Sequence, residues 1–123
     1  MQKLTNPEID AIESDLGFQL PGLYRKLLIE IGHGECDGFE IYHPREISGL
    51  YEHHFDNPAD LFRSYFPFGC NNRMQEICLI DPSREVAASI WHETHPDDYP
   101  DERWLPYEQW MLEHDSKLPR AEI

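Results

Sequence analysis

Seven histidines, three cysteines and 24 carboxylates are the side chains of this sequence that could do chemistry, and their spacing decides which chemistry is open to them. His53 and His54 are adjacent, so on a helix or strand they point to different sides. No histidine pair has the i, i+4 spacing that sets two ligands on one helical face. His92 and His95, with Glu93 and Asp97 nearby, form the best-spaced donor cluster, but their surroundings read as a polar loop of exposed side chains. The sequence therefore predicts no metal and no cofactor. Cys36, Cys70 and Cys78 are odd in number and lack CxxC spacing, as suits reduced thiols rather than a disulfide frame. Cys36 lies close to His33, yet no glycine-flanked elbow or helix-start position is there to lower a thiol pKa. Cys78, inside the apolar run Ile77 to Ile80, reads as a small core residue. Acid pairs such as Asp97 and Asp98 lie in a stretch too solvated to raise a carboxylate pKa for general acid–base work, and there is no glycine-rich phosphate loop. The expectation is a protein that is not an enzyme.

Charge is the stronger signal. Ten Lys and Arg stand against 24 Asp and Glu, for a net charge of −14 over 123 residues. Such a domain repels nucleic-acid phosphates and anionic lipid, and it speeds encounter with basic partners. Nucleic acid and membrane are thus disfavoured as partners, while solubility alone is the competing reason for the charge. Hydrophobic residues at 40% and aromatics at 12% suffice for a globular core. The length is that of a single domain, with a core over about 6–114 and a loose tail over 115–123. The first residues, MQKLTNPEID, contain no apolar run, and no segment approaches the ~18 apolar residues of a membrane span, which predicts a cytoplasmic location.

The elements that must position these residues follow from local pattern. Asn6-Pro7-Glu8 reads as a helix start, with Asn6 as N-cap, and Ile9, Ile12 and Leu16 continue at helical spacing to Gly17. Pro21 opens a second helix to Ile31, with Tyr24, Leu27, Leu28 and Ile31 on its buried face. Gly32-His33-Gly34 is its stop, with His33 at the negative end of the helix dipole, which makes this segment a frame rather than an active site. Phe39 to Tyr42 is a short strand, and Glu46 to Tyr51 is a strand or a single helical turn. Asn57-Pro58 predicts a short helix from Pro58 to about Tyr65. Phe66 to Gly69 leads through a polar turn, Cys70 to Gln75, into a central strand, Ile77 to Ile80. A turn at Asp81 to Arg84 and a strand from Val86 to Trp91 complete an antiparallel hairpin. His92 to Arg103 reads as an aperiodic acidic loop, and Pro106 to Glu113 as the last helix. Helices, then strands, then a helix predict an α+β fold: an antiparallel or mixed sheet with helices packed on it.

The order of these motifs resembles the SUKH superfamily. The resemblance rests on Ile12-Glu13 with Leu16-Gly17, Leu20-Pro21 with Tyr24 and Leu27-Leu28, the turn Gly32 to Gly34, Pro67-Phe68-Gly69, Ile77 to Asp81, Ile90-Trp91-His92, and Tyr107 to Leu112. It spans about residues 8 to 113. Each motif is a core or turn position; their order and spacing together carry the likeness. Gly32-His33-Gly34 stands where the family commonly has Asn-Gly-Gly, and the stretch from Tyr51 to Tyr65 fits the pattern least. The resemblance implies a SUKH-like single domain, used mainly in bacteria as an immunity protein that binds and blocks a cognate toxin domain, often a nuclease or another enzyme delivered between competing cells. Related domains occur in a fungal regulator of cell-wall synthesis, so a non-catalytic regulatory or scaffold interaction module is the alternative. The family is not known for catalysis, and the resemblance assigns no catalytic residues.

A nuclease is basic where it holds its substrate, so an acidic surface can occlude it. The partner-binding surface is accordingly expected at Glu93, Asp97, Asp98, Asp101 and Glu102, with Tyr99 and Trp104 as aromatic anchors inside a charged rim. The competing surface is Glu35 to Glu40. The sequence leaves the toxin's identity, the mode of inhibition and the oligomeric state open.

Overall fold

The computed structural model describes residues 1–17, 19–47, 65–91, 93–94 and 96–114. Among them, α1 (Asn6–Leu16) and α2 (Gly22–Glu30) precede five strands, β1 (Gly34–Cys36), β2 (Phe39–Ile41), β3 (Phe66–Asn71), β4 (Glu76–Asp81) and β5 (Val86–Trp91), and α3 (Tyr107–His114) follows. The strands form one antiparallel sheet in the order β1-β2-β3-β4-β5, each paired with its neighbour in sequence. The expected α+β fold is present, its sheet wholly antiparallel among the described residues.

The start of α1 lies one residue earlier than Asn6-Pro7 suggested. Thr5 is the N-cap because it closes a reciprocal box: Glu8 N–H donates to Thr5 Oγ1 at 3.3 Å, and Thr5 N–H donates to Glu8 Oε1 at 3.1 Å. Asn6 and Pro7 then occupy the first turn. Gly17 ends the helix at φ 82°, and its N–H donates to Glu13 O. In α2 the cap residue is Pro21, which has no side-chain acceptor to offer. Glu85, 62 residues further along in the β4–β5 turn, supplies one: Leu23 N–H donates to Glu85 Oε2 at 3.1 Å. A cap that arrives from a distant turn ties the helix to the sheet. The helices are stapled to each other by Arg25, whose guanidinium reaches Glu13 at 2.8 Å and Asp10 at 2.7 Å.

β3 departs most from expectation, since Phe66 to Gly69 is strand rather than a lead-in and Cys70 and Asn71 extend it. Proline is rare inside a sheet because it removes a ladder donor. Here Pro67 lies beyond the last β2 pair, Ile41↔Gly69, and an irregularity between Pro67 and Gly69 adjusts the register against β4. Gly69 has a steric reason to be glycine: a Cβ there would stand 2.3 Å from Glu40 O on β2. β1 was missed because Gly34 was read only as a helix stop. Gly32, at φ 104°, passes so close to Gln2 that a Cβ would lie 2.4 Å from its carbonyl, and His33 exchanges both backbone hydrogen bonds with Gln2. Of the stretch from Glu46 to Tyr51, Glu46 ends a 3-10 turn (Pro44–Glu46) and Ile47 is buried, while 48–51 lie outside the described residues. The expected helix from Pro58 lies outside them too, except Tyr65, which runs straight into β3. The 115–123 tail is likewise not described.

Period-2 alternation gives the sheet two buried faces at β4 and β5. Cys78, Ile80 and Ala87 join the helices in the main core with Tyr24, Phe68 and Trp110, whereas Ile77, Leu79, Val86, Ala88 and Ile90 face the other way. The main core is aromatic at its centre: Tyr24 lies 5.2 Å from Phe66, and Trp110 lies 5.2 Å from Phe68 and 6.0 Å from Phe39. The buried Tyr24 hydroxyl donates to Tyr42 O.

Gly69→Ala should lower unfolding stability by about 2 kcal/mol or more, because strand backbone must move to admit the methyl group. Urea denaturation monitored by tryptophan fluorescence measures this, and a change near zero would contradict the close approach of β2 and β3.

Candidate functional site

The second face of β4 and β5 carries five apolar side chains and, among the described residues, no helix. The acidic segment after β5 covers it. Pro96 opens one 3-10 turn (Pro96–Asp98) and Pro100 caps another (Asp101–Arg103), and each turn carries two carboxylates. Leu105 then exchanges two 2.8 Å backbone bonds with Ala87 on the outer edge of β5. Tyr99 Oη donates to Ser89 O at 3.1 Å, and Thr94 N–H donates to Trp91 O at 2.8 Å, so the outer edge of β5 is largely occupied. The aperiodic loop of the sequence reading is therefore a built cover.

Trp104 fixes that cover in place. Tyr65 stacks on it at 5.3 Å and 21°, Tyr99 meets it edge-on at 6.4 Å, and the Arg84 guanidinium lies 5.5 Å from its ring centre. Arg84 is held in turn by Asp81 at 2.8 Å and reaches Asp101 at 3.4 Å. Burial pushes the Asp81 carboxyl up, but hydrogen bonds from Ser83 and Arg84 outweigh it and hold the group below its usual range. Tyr65 donates its hydroxyl to Asp97 and, through burial and that bond, is pushed up to about 12, so it remains a donor at neutral pH.

The structure brings the predicted residues together on this cover but divides their roles. Glu93, Asp97, Asp98, Asp101 and Glu102 are exposed, and Tyr99 is half-buried. Trp104 is only 5% exposed, its ring packed with Leu79, Ala88 and Ile90 on the second face of the sheet. Among the described residues the exposed aromatic is Trp91, 48% exposed at the end of β5, with Met74 at 58% in the β3–β4 turn. Sequence reasoning passed over Trp91 as an ordinary strand residue. Its one signal was its place at the strand end, where alternation puts it on the helix face beside Glu76.

The competing surface, Glu35 to Glu40, is the β1–β2 hairpin. Glu35 and Glu40 are direct cross-strand partners, an unfavourable like-charge pairing. Burial, then Glu46, then Glu35 push the Glu40 carboxyl up. Asp37 in the turn is ion-paired with Arg73. His33 meets His43 edge-on at 4.7 Å, and His43 Nδ1 accepts from Arg45 N–H at 3.1 Å, so both rings serve the frame around Gly32. Burial and the neighbouring His33 push His43 down. Burial pushes the Cys70 thiol up, opposite to what an activated nucleophile needs. Among the described residues no three His, Cys, Asp or Glu side chains are grouped to hold a metal; His53, His54, His92 and His95 lie outside those residues. No helix among them is long and apolar enough to cross a membrane.

The family model described as SMI1 / KNR4 family (SUKH-1) matches residues 3–113. No curated protein and no solved structure matches the chain.

Two stability experiments check this division of roles. Trp104→Ala should cost roughly 3 kcal/mol and Trp91→Ala less than about 1 kcal/mol in urea denaturation, and equal costs would contradict it. Glu40→Gln should stabilise the fold at pH 7 by on the order of 0.5 kcal/mol. Because the folded-state pKa of Glu40 is raised, the wild-type penalty exists above that pKa and vanishes as pH falls below the unfolded value. Thermal melts of the pair should therefore converge toward acid pH, and a gap that widens there would contradict a penalty on the charged form of Glu40, set first by burial and then by Glu46 and Glu35.

Proposed function

Because the chain belongs to the SMI1 / KNR4 family (SUKH-1), we propose that it is a non-catalytic immunity protein that binds and neutralises a cognate bacterial toxin domain, a nuclease or other basic enzyme delivered in inter-bacterial competition. The observation that carries this reading is the acidic cover. Five exposed carboxylates, Glu93, Asp97, Asp98, Asp101 and Glu102, stand on a segment pinned to the sheet by Trp104, on a protein of net charge −14. A charged surface held in one shape gives both steering and register. Asp97 and Asp101 are oriented by Tyr65 and Arg84, so less conformational entropy is lost when a partner arrives. A toxin's substrate-binding surface, built to attract phosphate, is the natural complement. The protein acts in this reading from the cytoplasm of the producing cell.

Co-expression with the toxin domain encoded beside the gene should restore survival, and the two proteins should co-purify. Death despite good expression would instead favour a regulatory or scaffold module of the same fold. Within a rescuing pair, Asp97→Asn, Asp98→Asn, Asp101→Asn and Glu102→Gln together should slow association about tenfold at low salt and flatten its salt dependence. An unchanged on-rate would remove this cover from the interface.

A further inference from the structure

The chain leaves β2 through the 3-10 turn Pro44–Glu46, which His43 starts and closes. His43 Nδ1 accepts from Arg45 N–H at 3.1 Å, and His43 O accepts from Glu46 N–H at 2.9 Å. The turn seats Pro44 and Ile47 in the core and sends the Arg45 guanidinium to Asp15 on α1, at 2.7 Å. The same His43 ring meets His33 edge-on at 4.7 Å, and His33 is fixed by the two backbone bonds it exchanges with Gln2. One imidazole therefore joins the N-terminal segment, the turn before β1 and the exit of β2.

The bond from Arg45 fixes the protonation state of that imidazole. A nitrogen that accepts carries no proton, so the neutral ring holds its single proton on Nε2. A second proton can enter only at Nδ1, which then faces the Arg45 N–H donor to donor, and the bond is lost. We propose that His43 is a proton-operated latch: neutral, it closes the turn after β2, and protonated, it opens that turn and loosens the tie from Arg45 to α1. The groups around the ring set where it works. Burial, the largest effect, and His33 oppose the proton, Glu46 in the same turn favours it and Arg45 opposes it, while Asp15 on α1 is held by Arg45. The balance holds His43 below the ordinary histidine value of about 6.5. With the folded-state pKa lowered, the closed turn contributes its stability above the unfolded value and loses it as pH falls from there through the folded value. The latch is shut at neutral pH and opens on acidification. The acidic cover lies along β5, three strands from β2, so the device works apart from the surface assigned above to the partner.

The test follows the whole chain by NMR from about pH 7.5 to about 4.5, the range in which histidine changes charge. The His43 ring carbon-bound proton reports protonation, the Arg45 amide reports the bond, and the Trp104 indole N–H reports the distant cover. The Arg45 amide proton should move upfield with the same midpoint as the ring, below the ordinary histidine value, while the Trp104 resonance stays in place. His43→Asn keeps an acceptor at that position but takes no proton, so its Arg45 amide should not titrate. Its melting temperature should fall less than the wild type's over the same range, by a few degrees. His33→Gln should raise the His43 midpoint. An Arg45 amide that stays put while His43 titrates, a His43 midpoint at or above the ordinary value, or an equal loss of melting temperature in His43→Asn would overturn the latch. Should His43→Asn fail to fold, the wild-type titration alone decides.

Discussion

A sheet with two apolar faces needs two covers, and the second face of β4 and β5 is the constraint on which the rest of this structure turns. Helices supply the first cover through Tyr24, Leu27 and Trp110. The second is built from a segment dense in acid and proline, which has little apolar surface of its own to bury. Its closure depends on Trp104, sandwiched among Tyr65, Tyr99 and the Arg84 guanidinium. Burial of one large aromatic, supplemented by ring contacts worth ~1 kcal/mol each, offsets the cost of ordering a highly charged chain. Asp97 and Asp101 take part in that closure through Tyr65 and Arg84, so the fastening that stabilises the fold also sets where the charge points.

The turns link the two sides of the molecule. Glu85, at φ 54° in the β4–β5 turn, caps α2 on the helix side, while Arg84 beside it reaches the cover. Two adjacent residues therefore fasten opposite faces of the sheet, and the segment Asp81–Glu85 is where helices, sheet and cover meet. Its importance could not be read locally, because both contacts join residues far apart in sequence.

Much of the fold was legible where local physics decides. The helical spacing of Ile9 and Ile12 and of Tyr24, Leu27 and Leu28 marked the faces that are in fact buried, and Ile77 to Ile80 with Val86 to Trp91 formed the expected hairpin. The misses share a cause. β1 has only three residues, too few for a period to show, and Pro67 and Gly69 disguise β3 because both are residues that usually interrupt a strand. For the site, composition located the acidic segment but not its packing. Trp104 and Trp91 are both aromatic residues next to charge in sequence; only the second face of the sheet, which claims one and leaves the other half-exposed, tells them apart.

Two acidic surfaces are the candidates for the proposed partner: the cover over β4 and β5, and the β1–β2 hairpin with its opposed Glu35 and Glu40. The first has charge held in one shape by Tyr65, Trp104 and Arg84; the second has charge on a short hairpin whose turn residue Asp37 is paired with Arg73. Hydrogen–deuterium exchange of the chain, alone and in complex with the toxin domain that the proposed function assigns to it, distinguishes them most directly. The account predicts slowed exchange across 93–103, with little change at β1 and β2. Protection confined to the β1–β2 hairpin would contradict it.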